Sequence, residues 1–258
     1  MTDPLFSIVT ITYNNHDGLV KTANSIMEQK NSDQKSTYEW IIIDGGSTDQ
    51  TQQYLHDLSP YATIISEIDN GIYDAMNKGL SRATGRYICF MNAGDTFPDS
   101  TILNALTHHA AYDQYDFIYG DSLEQSASDP QKNYYKRAKN YKNIQYGMFT
   151  HHQSMWYRTS ILQEIKYNTA YIISADYDAT YRFLNNTKKS YYLPIALSIF
   201  ESGGISQQQT NVARSEQYNI RRNMKVHPVL NKAIFYRQAM AQYIRDLAPN
   251  FYWWLKKA

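Results

Sequence analysis

The sequence predicts an α/β protein: a mostly parallel sheet flanked by helices, then a helical C-terminal extension. Three observations predict it. Short β-branched or apolar runs alternate with segments whose apolar residues recur at spacings of three and four. Carboxylates stand at the C-terminal ends of several such runs, where open α/β sheets place their ligands. Glycine- and asparagine-containing turns sit at the ends of the first two runs, as tight strand-to-helix connections require.

Residues 6–13 are β-branched and apolar, as in a buried parallel strand. Asn14, Asn15, His16, Asp17 and Gly18 form a turn, and helical spacing covers 19–29. A second strand at 38–44 ends in Asp44; Gly45 and Gly46 allow a tight turn, and Ser47 is placed to cap a helix over 48–58. A third strand at 62–66 leads into 67–95, the stretch around which the chain is organised. There Asp69 or Asn70 is placed to cap a helix bearing Ile72, Ala75, Met76, Gly79, Leu80 and Ala83; Gly85 ends it, and 86–91 is a fourth strand. Asp95 follows that strand, and with Asn77 and Lys78 on the preceding helix it suits a metal-bound phosphate.

A helix over 100–111 and a strand at 117–121 come next, with Asp121 a second candidate for metal or acceptor contact. Residues 132–142 interleave five bases with three tyrosines, and read either as a solvated edge strand or as a basic lip on phosphates. His151 and His152 lead from a loop into a strand, but no Cys or His at ligand spacing supports zinc. Ser174 is placed to cap a helix over 176–183, whose first turn carries Asp176 and Asp178; there the helix dipole favours the ionised form. A strand at 193–200 precedes a Gly203-Gly204 turn and a polar helix over 207–224. A last helix begins at Pro228, with Tyr236, Met240, Tyr243, Ile244 and Leu247 along one face. The tail 250–258 mixes aromatics with bases, which suits a membrane interface, a fold-back or a dimer contact.

Bulk properties narrow the field. A net charge of +1 gives no global field toward nucleic acid. The one cysteine, Cys89, lies within an apolar strand, which excludes an intrachain disulfide framework and fits a reducing cytoplasm. The N-terminus lacks a signal-peptide pattern, and no stretch has the length of a membrane span. A dinucleotide fold is disfavoured because Gly-x-Gly-x-x-Gly is absent after the first two strands.

Asp69-Asn-Gly-Ile-Tyr-Asp-Ala-Met-Asn-Lys-Gly, together with Thr10-Ile-Thr-Tyr-Asn14 and Ile42-Ile-Asp-Gly-Gly-Ser-Thr-Asp49, resembles glycosyltransferase family 2, especially its bacterial polysaccharide-building members. The resemblance implies a GT-A-like domain over 1–206, with a nucleotide-sugar half (1–121) and an acceptor half (122–206), and a helical extension over 207–258. It implies inverting transfer of a hexose or N-acetylhexosamine from a nucleotide diphosphate sugar, with UDP favoured, to a growing glycan. That acceptor is expected to be polyprenyl-diphosphate-linked, at the inner face of a bacterial membrane, with peripheral contact through the tail.

The same resemblance carries residue roles. Asp44 contacts the base, with Tyr13 and Thr12 beside it, and Asp69 and Lys78 complete the nucleotide-binding set. Asp95 holds Mn²⁺ or Mg²⁺, although Asn92-Ala-Gly-Asp95 stands where relatives commonly have Asp-x-Asp. Asn92, His152, Gln153 and Asp178 line the donor or acceptor site, and Asp176 is the catalytic base. The departure at Asn92 keeps a second class open, a non-catalytic sugar-nucleotide or glycan binder. A nucleotidyltransferase is disfavoured because no Gly-rich phosphate loop follows the first strand.

Overall fold

The computed structural model describes residues 4–29, 38–110, 114–126, 129, 132–187, 189–201 and 209–247. Among these residues eight strands form one sheet: β1 (Phe6–Thr12), β2 (Tyr38–Asp44), β3 (Thr63–Ser66), β4 (Tyr87–Phe90), β5 (Phe117–Gln125), β6 (Asn133–Lys136), β7 (Met155–Arg158) and β8 (Ser190–Glu201). The order is β3-β2-β1-β4-β7-β5-β6, and β8 runs parallel to β5 along its other edge. The first four strands are mutually parallel, whereas β7 enters antiparallel between β4 and β5 and joins the two halves into one sheet.

Six helices cover the two faces: α1 (His16–Met27), α2 (Thr51–Leu58), α3 (Ile72–Arg82), α4 (Ile102–Ala110), α5 (Thr159–Ile165) and α6 (Ala175–Asn186). Alternation along β1 and β2 divides the core. Val9, Ile11, Ile41 and Ile43 pack beneath α3 with Phe90, Phe117 and Phe183, while Phe6, Ile8, Trp40 and Ile42 pack beneath α1, α2 and α4 with Met91 and Trp156. Cys89 is fully buried in the second layer, its Sγ 3.3 Å from the Gln153 carbonyl, and burial pushes its thiol well above the ordinary range. Among the described residues two further helices, α7 (Thr210–Asn223) and α8 (Pro228–Leu247), belong to the C-terminal extension.

Several local expectations are corrected. Helix α2 begins at Thr51, because Ser47 turns back to Asp44 instead of capping it. Gly71 occupies the cap position of α3; Asp69 accepts the Gly71 N–H at 2.9 Å, and Asp74 accepts that of Asn70 at 3.0 Å. That helix stops at Arg82, before Gly85. Ser174 sits at the cap of α6, but its hydroxyl donates to the Ala213 carbonyl at 3.2 Å. On α8, Tyr236, Met240, Tyr243 and Leu247 face solvent, while Ile234 is buried. The tail 250–258 and the Gly203-Gly204 turn lie outside the described residues.

Gly85 instead serves close packing. Glu39 Oε1 gathers Ser7 Oγ, the Thr84 N–H and the Gly85 N–H at 2.6, 2.6 and 2.9 Å, which draws the turn against β1. A Cβ at Gly85 would stand 2.6 Å from the Phe6 carbonyl carbon and 2.7 Å from the Ser7 nitrogen, both backbone atoms. Gly85→Ala is therefore expected to lower unfolding stability by about 2–3 kcal/mol, read by urea denaturation. An unchanged midpoint would show that this turn relaxes freely.

Candidate functional site

Strand order puts the site at a topological switch. From β1 the chain winds outward through β2 and β3, then returns to β4 on the other side of β1, opening a crevice at the strands' C-terminal ends. The loops there are stitched together. Asn15 Nδ2 donates to the Ala93 carbonyl at 3.1 Å, and the Gly94 N–H donates to the Gly18 carbonyl at 3.0 Å. Thr22 Oγ1 donates to the Asp95 carbonyl at 2.7 Å and accepts the Gly94 N–H at 3.0 Å, so α1 pins the turn after β4.

Asp44 is paired with Thr12 across the β1–β2 register and is fully buried. Its carboxylate accepts the Ser47 N–H at 3.1 and 3.2 Å, a short bond from Ser47 Oγ, and Ser66 Oγ at 2.6 Å. Ser47 Oγ in turn accepts the Asn14 N–H at 2.8 Å. Above this network Tyr13 is 63 % exposed, and Gly45 faces Asp69: a Cβ there would lie 2.6 Å from Asp69 Oδ2 and 3.4 Å from the Tyr13 ring. Thr12 Oγ1 is buried without a partner among the described residues.

Asp95 is buried where β4, β8 and the short helix His152–Ser154 meet. Its carboxylate accepts Gln153 Nε2 at 2.5 Å and the Glu201 N–H at 3.0 Å; burial raises it to about 7. Glu201 also pairs with Lys21 at 2.6 Å, and its Oε2 covers Gly94, whose φ of +108° has no room for a Cβ. Asn92 Nδ2 and His152 Nε2 are 3.4 Å apart, and burial lowers His152 to about 4, so it is neutral. Asn92 Oδ1, Gln153 Oε1 and His151 Nδ1 are buried without partners among the described residues.

At the start of α6, Asp176 accepts the Tyr177 N–H at 2.8 Å and lies 3.4 Å from the Tyr73 hydroxyl. Burial dominates and raises it to about 6, against the expectation from the helix dipole alone.

The family model for glycosyl transferase family 2 matches residues 7–175. The chain belongs to glycosyltransferase family 2. The PGL/p-HBAD biosynthesis glycosyltransferase of Mycobacterium bovis (strain BCG / Pasteur 1173P2) is 30 % identical over 221 residues, 80 % of each chain. The putative teichuronic acid biosynthesis glycosyltransferase TuaG of Bacillus subtilis (strain 168) is 35 % identical over 96 residues, 36 % of each. Among solved structures, S. aureus TarS 1-349 in complex with UDP-GlcNAc superposes with a TM-score of 0.69 at 18 % identity, covering 95 % of this chain and 74 % of that one. The mannosyltransferase PcManGT of Pyrobaculum calidifontis, in complex with GDP-Man and Mn²⁺, gives 0.64 at 15 %, covering 98 % and 72 %. These likenesses establish the GT-A-type fold.

For this family 2 glycosyltransferase, the fold gathers Thr12, Tyr13, Asp44 and Asp69 at one end of the crevice, and Asn92, Asp95, His152 and Gln153 at the other. Four expected groups are engaged within the protein. Asp44 has no exposed oxygen, so contact with a base would require one of its bonds to open. Lys78 Nζ is held by Glu67 at 3.0 Å, Asp74 at 3.5 Å and the Ile68 carbonyl at 3.0 Å, which makes it a clamp on the 67–74 loop. Asp178 pairs with Arg182 at 2.7 Å, and Arg182 also binds the Ile165 and Lys166 carbonyls, so Asp178 holds α6 to the end of α5. Asp121 is likewise taken up by Tyr135, Tyr192 and the Ala138 N–H.

Among the described residues no cluster of three or more His, Cys, Asp or Glu forms a ready-made metal cage. The donor set nevertheless fits Mg²⁺ or Mn²⁺: a desolvated carboxylate, its partner Gln153 and the nearby Asn92, whose amide oxygens have no partner among the described residues, are all hard ligands and suit an ion that keeps waters and phosphate oxygens in its shell. Tyr73 and Glu201 are contributors that sequence reasoning missed. Tyr73 lies inside the recognised motif, and Glu201 follows a strand end, but only tertiary contact gives either a role.

Because Asp95 binds its proton more tightly folded than unfolded, its contribution to stability is present below about pH 4 and is lost as pH rises through 7. Asp176 acts with the same sign through about 6. In Asp95→Asn, Gln153 can rotate its amide to keep a bond. The variant's stability relative to wild type should therefore climb by on the order of 2–4 kcal/mol between pH 4 and 7. Mn²⁺ added above that range should stabilise wild type alone, read as melting temperature. A pH-independent difference would mean that the Asp95 carboxyl titrates normally.

Proposed function

We propose that the protein is an inverting, metal-assisted hexosyl- or N-acetylhexosaminyltransferase that uses a UDP-sugar and extends a bacterial surface glycan. The observation that carries this reading is a pair of desolvated carboxylates in unlike surroundings. Asp95 sits among cation ligands, and Asp176 stands on a helix start with a proton affinity near neutrality. Asp95, with the amide oxygens of Asn92 and Gln153, would hold Mg²⁺ or Mn²⁺, which would supply positive charge against the departing diphosphate.

The base subsite is assigned to the β1 and β2 turns. The exposed Tyr13 ring offers a stacking face, Asp69 a carboxylate beside it, and Asp44 the buried tie that shapes both turns. His152 and Gln153 border the sugar. Asp176 takes the proton from an acceptor hydroxyl as that oxygen bonds to the anomeric carbon. The bond from the anomeric carbon to the phosphate oxygen breaks with its electron pair, and UDP leaves from the opposite face. With a value near 6, Asp176 is ionised at neutral pH yet basic enough to accept the proton.

The relatives' names, which refer to PGL/p-HBAD and teichuronic acid biosynthesis, support a glycan-building role. UDP-GlcNAc in TarS supports UDP, and Mn²⁺ in PcManGT supports the metal. A polyprenyl-diphosphate-linked acceptor at the cytoplasmic face of a membrane completes the reading. No described helix is long and apolar enough to cross a membrane, and the solvent-facing Tyr236, Met240, Tyr243 and Leu247 suit peripheral contact. A non-catalytic binder is the competing reading, favoured by Asn92 at the first motif position.

Calorimetric titration of UDP, GDP, dTDP and CMP, with and without Mn²⁺, should give UDP binding that is lost in Asp95→Ala. Asp176→Asn should keep UDP binding and lose transfer or donor hydrolysis by roughly 10²–10⁴-fold. The wild-type rate should fall about tenfold per pH unit below about 6, where the base is protonated. UDP binding with equal turnover in wild type and Asp176→Asn would sink the catalytic assignment.

A further inference from the structure

The helical hairpin α7–α8 lies beyond the residues 7–175 matched by the family model, yet one of its side chains reaches the candidate active site. Glu216 of α7 accepts the N–H groups of Ile172 at 2.7 Å, Ile173 at 3.0 Å and Ser174 at 2.9 Å. These three residues form no helix or strand, and they lead directly into α6 and Asp176. From the other side, the Tyr73 hydroxyl of α3 donates to the Ile173 carbonyl at 2.5 Å and lies 3.4 Å from Asp176 Oδ1. Ile173 is thus gripped at both its N–H and its carbonyl. Farther along α7, Arg221 is fully buried beside Tyr177 and Tyr181 of α6, with Nε donating to Asn231 at 2.7 Å.

We infer that Glu216 is a positioning residue, holding the 172–174 segment by its backbone so that Asp176 is presented at a fixed place, and that the C-terminal hairpin is thereby part of the active site. The inference rests on Asp176 being the base. A carboxylate that accepts three backbone N–H groups fixes a loop much as a helix cap fixes a first turn, and charge makes each bond stronger. Removing it leaves three backbone donors without that partner, two of them part-buried.

Glu216 also acts on Asp176 through its charge. The groups facing Asp176 are Tyr73 from α3, Tyr157 from β7, Tyr167 after α5 and Glu216 from α7. Burial is the main reason that Asp176 holds its proton tightly, and the negative charge of Glu216 adds to it; the Tyr73 hydroxyl opposes both by donating to the carboxylate.

The test needs no substrate. In the full chain, the Asp176 carboxyl is titrated by ¹³C NMR and amide exchange is followed by mass spectrometry. Glu216→Ala should speed exchange over 172–174 by roughly tenfold or more while β1 stays protected. Glu216→Gln, which keeps the shape, should lower the Asp176 midpoint, and Tyr73→Phe should raise it. Opposite movements are a signature that general loosening of the fold does not produce. If Glu216→Ala fails to fold, the Gln and Phe variants still decide the matter. The inference is overturned if exchange over 172–174 is unchanged, or if the Glu216→Gln midpoint stays in place or rises. Asp176→Asn with full turnover would instead remove the base assignment and leave the exchange and titration results standing, so the two failures are separable.

Discussion

A carboxylate sealed from water must have its lone pairs filled from within, and at Asp44 the donors come from separate strand ends. Ser47 supplies a hydroxyl and an N–H, Ser66 a second hydroxyl, and Ser47 passes the order on to Asn14. One buried charge therefore sets the relative positions of the loops after β1, β2 and β3. Tyr13, Gly45 and Asp69 meet above it because those loops have little freedom. The parallel register that pairs Thr12 with Asp44 is what brings the donors within reach.

The other two carboxylates show the same physics used differently. Asp95 has two donors, from Gln153 and the Glu201 backbone, and Asp176 has one close donor and one long one. Neither has enough to offset its burial, so both hold a proton more tightly than an aspartate in water. Full satisfaction makes Asp44 a scaffold, and incomplete satisfaction is why Asp95 and Asp176 hold their protons near neutrality. Gln153 joins two of these requirements: its amide nitrogen steadies Asp95 while its oxygen remains open.

Much of this was legible in the sequence, for reasons that are local. Residues 6–12 and 38–44 alternate across two buried faces, and the strand-end acids fall where parallel sheets leave a crevice. Which groups are free was not legible. Lys78 looked like a phosphate ligand because its place in the helix was right, but its partner Glu67 lies eleven residues away in a loop whose path is set by tertiary contacts. Ser47 carried every mark of a cap and went to Asp44 instead, since satisfying a buried charge outweighs capping an exposed helix end. Glu216 had no local signal: the three N–H donors it accepts from lie more than forty residues back along the chain. The apolar pattern on α8 gave the helix and a shared face for Tyr236, Met240, Tyr243 and Leu247; that this face meets solvent was not legible, because periodicity identifies a face without saying what covers it.

Cys89 has a practical meaning beyond packing. It is the chain's single thiol, it has no exposed surface, and burial keeps it in the unreactive protonated form. A cysteine introduced at an exposed position, such as Tyr236 on the outer face of α8, would then be the one site open to thiol-directed reagents. Fluorophores or spin labels can be attached to the native chain without first removing a residue from the core, so motion of the C-terminal hairpin against the sheet is open to direct spectroscopic observation.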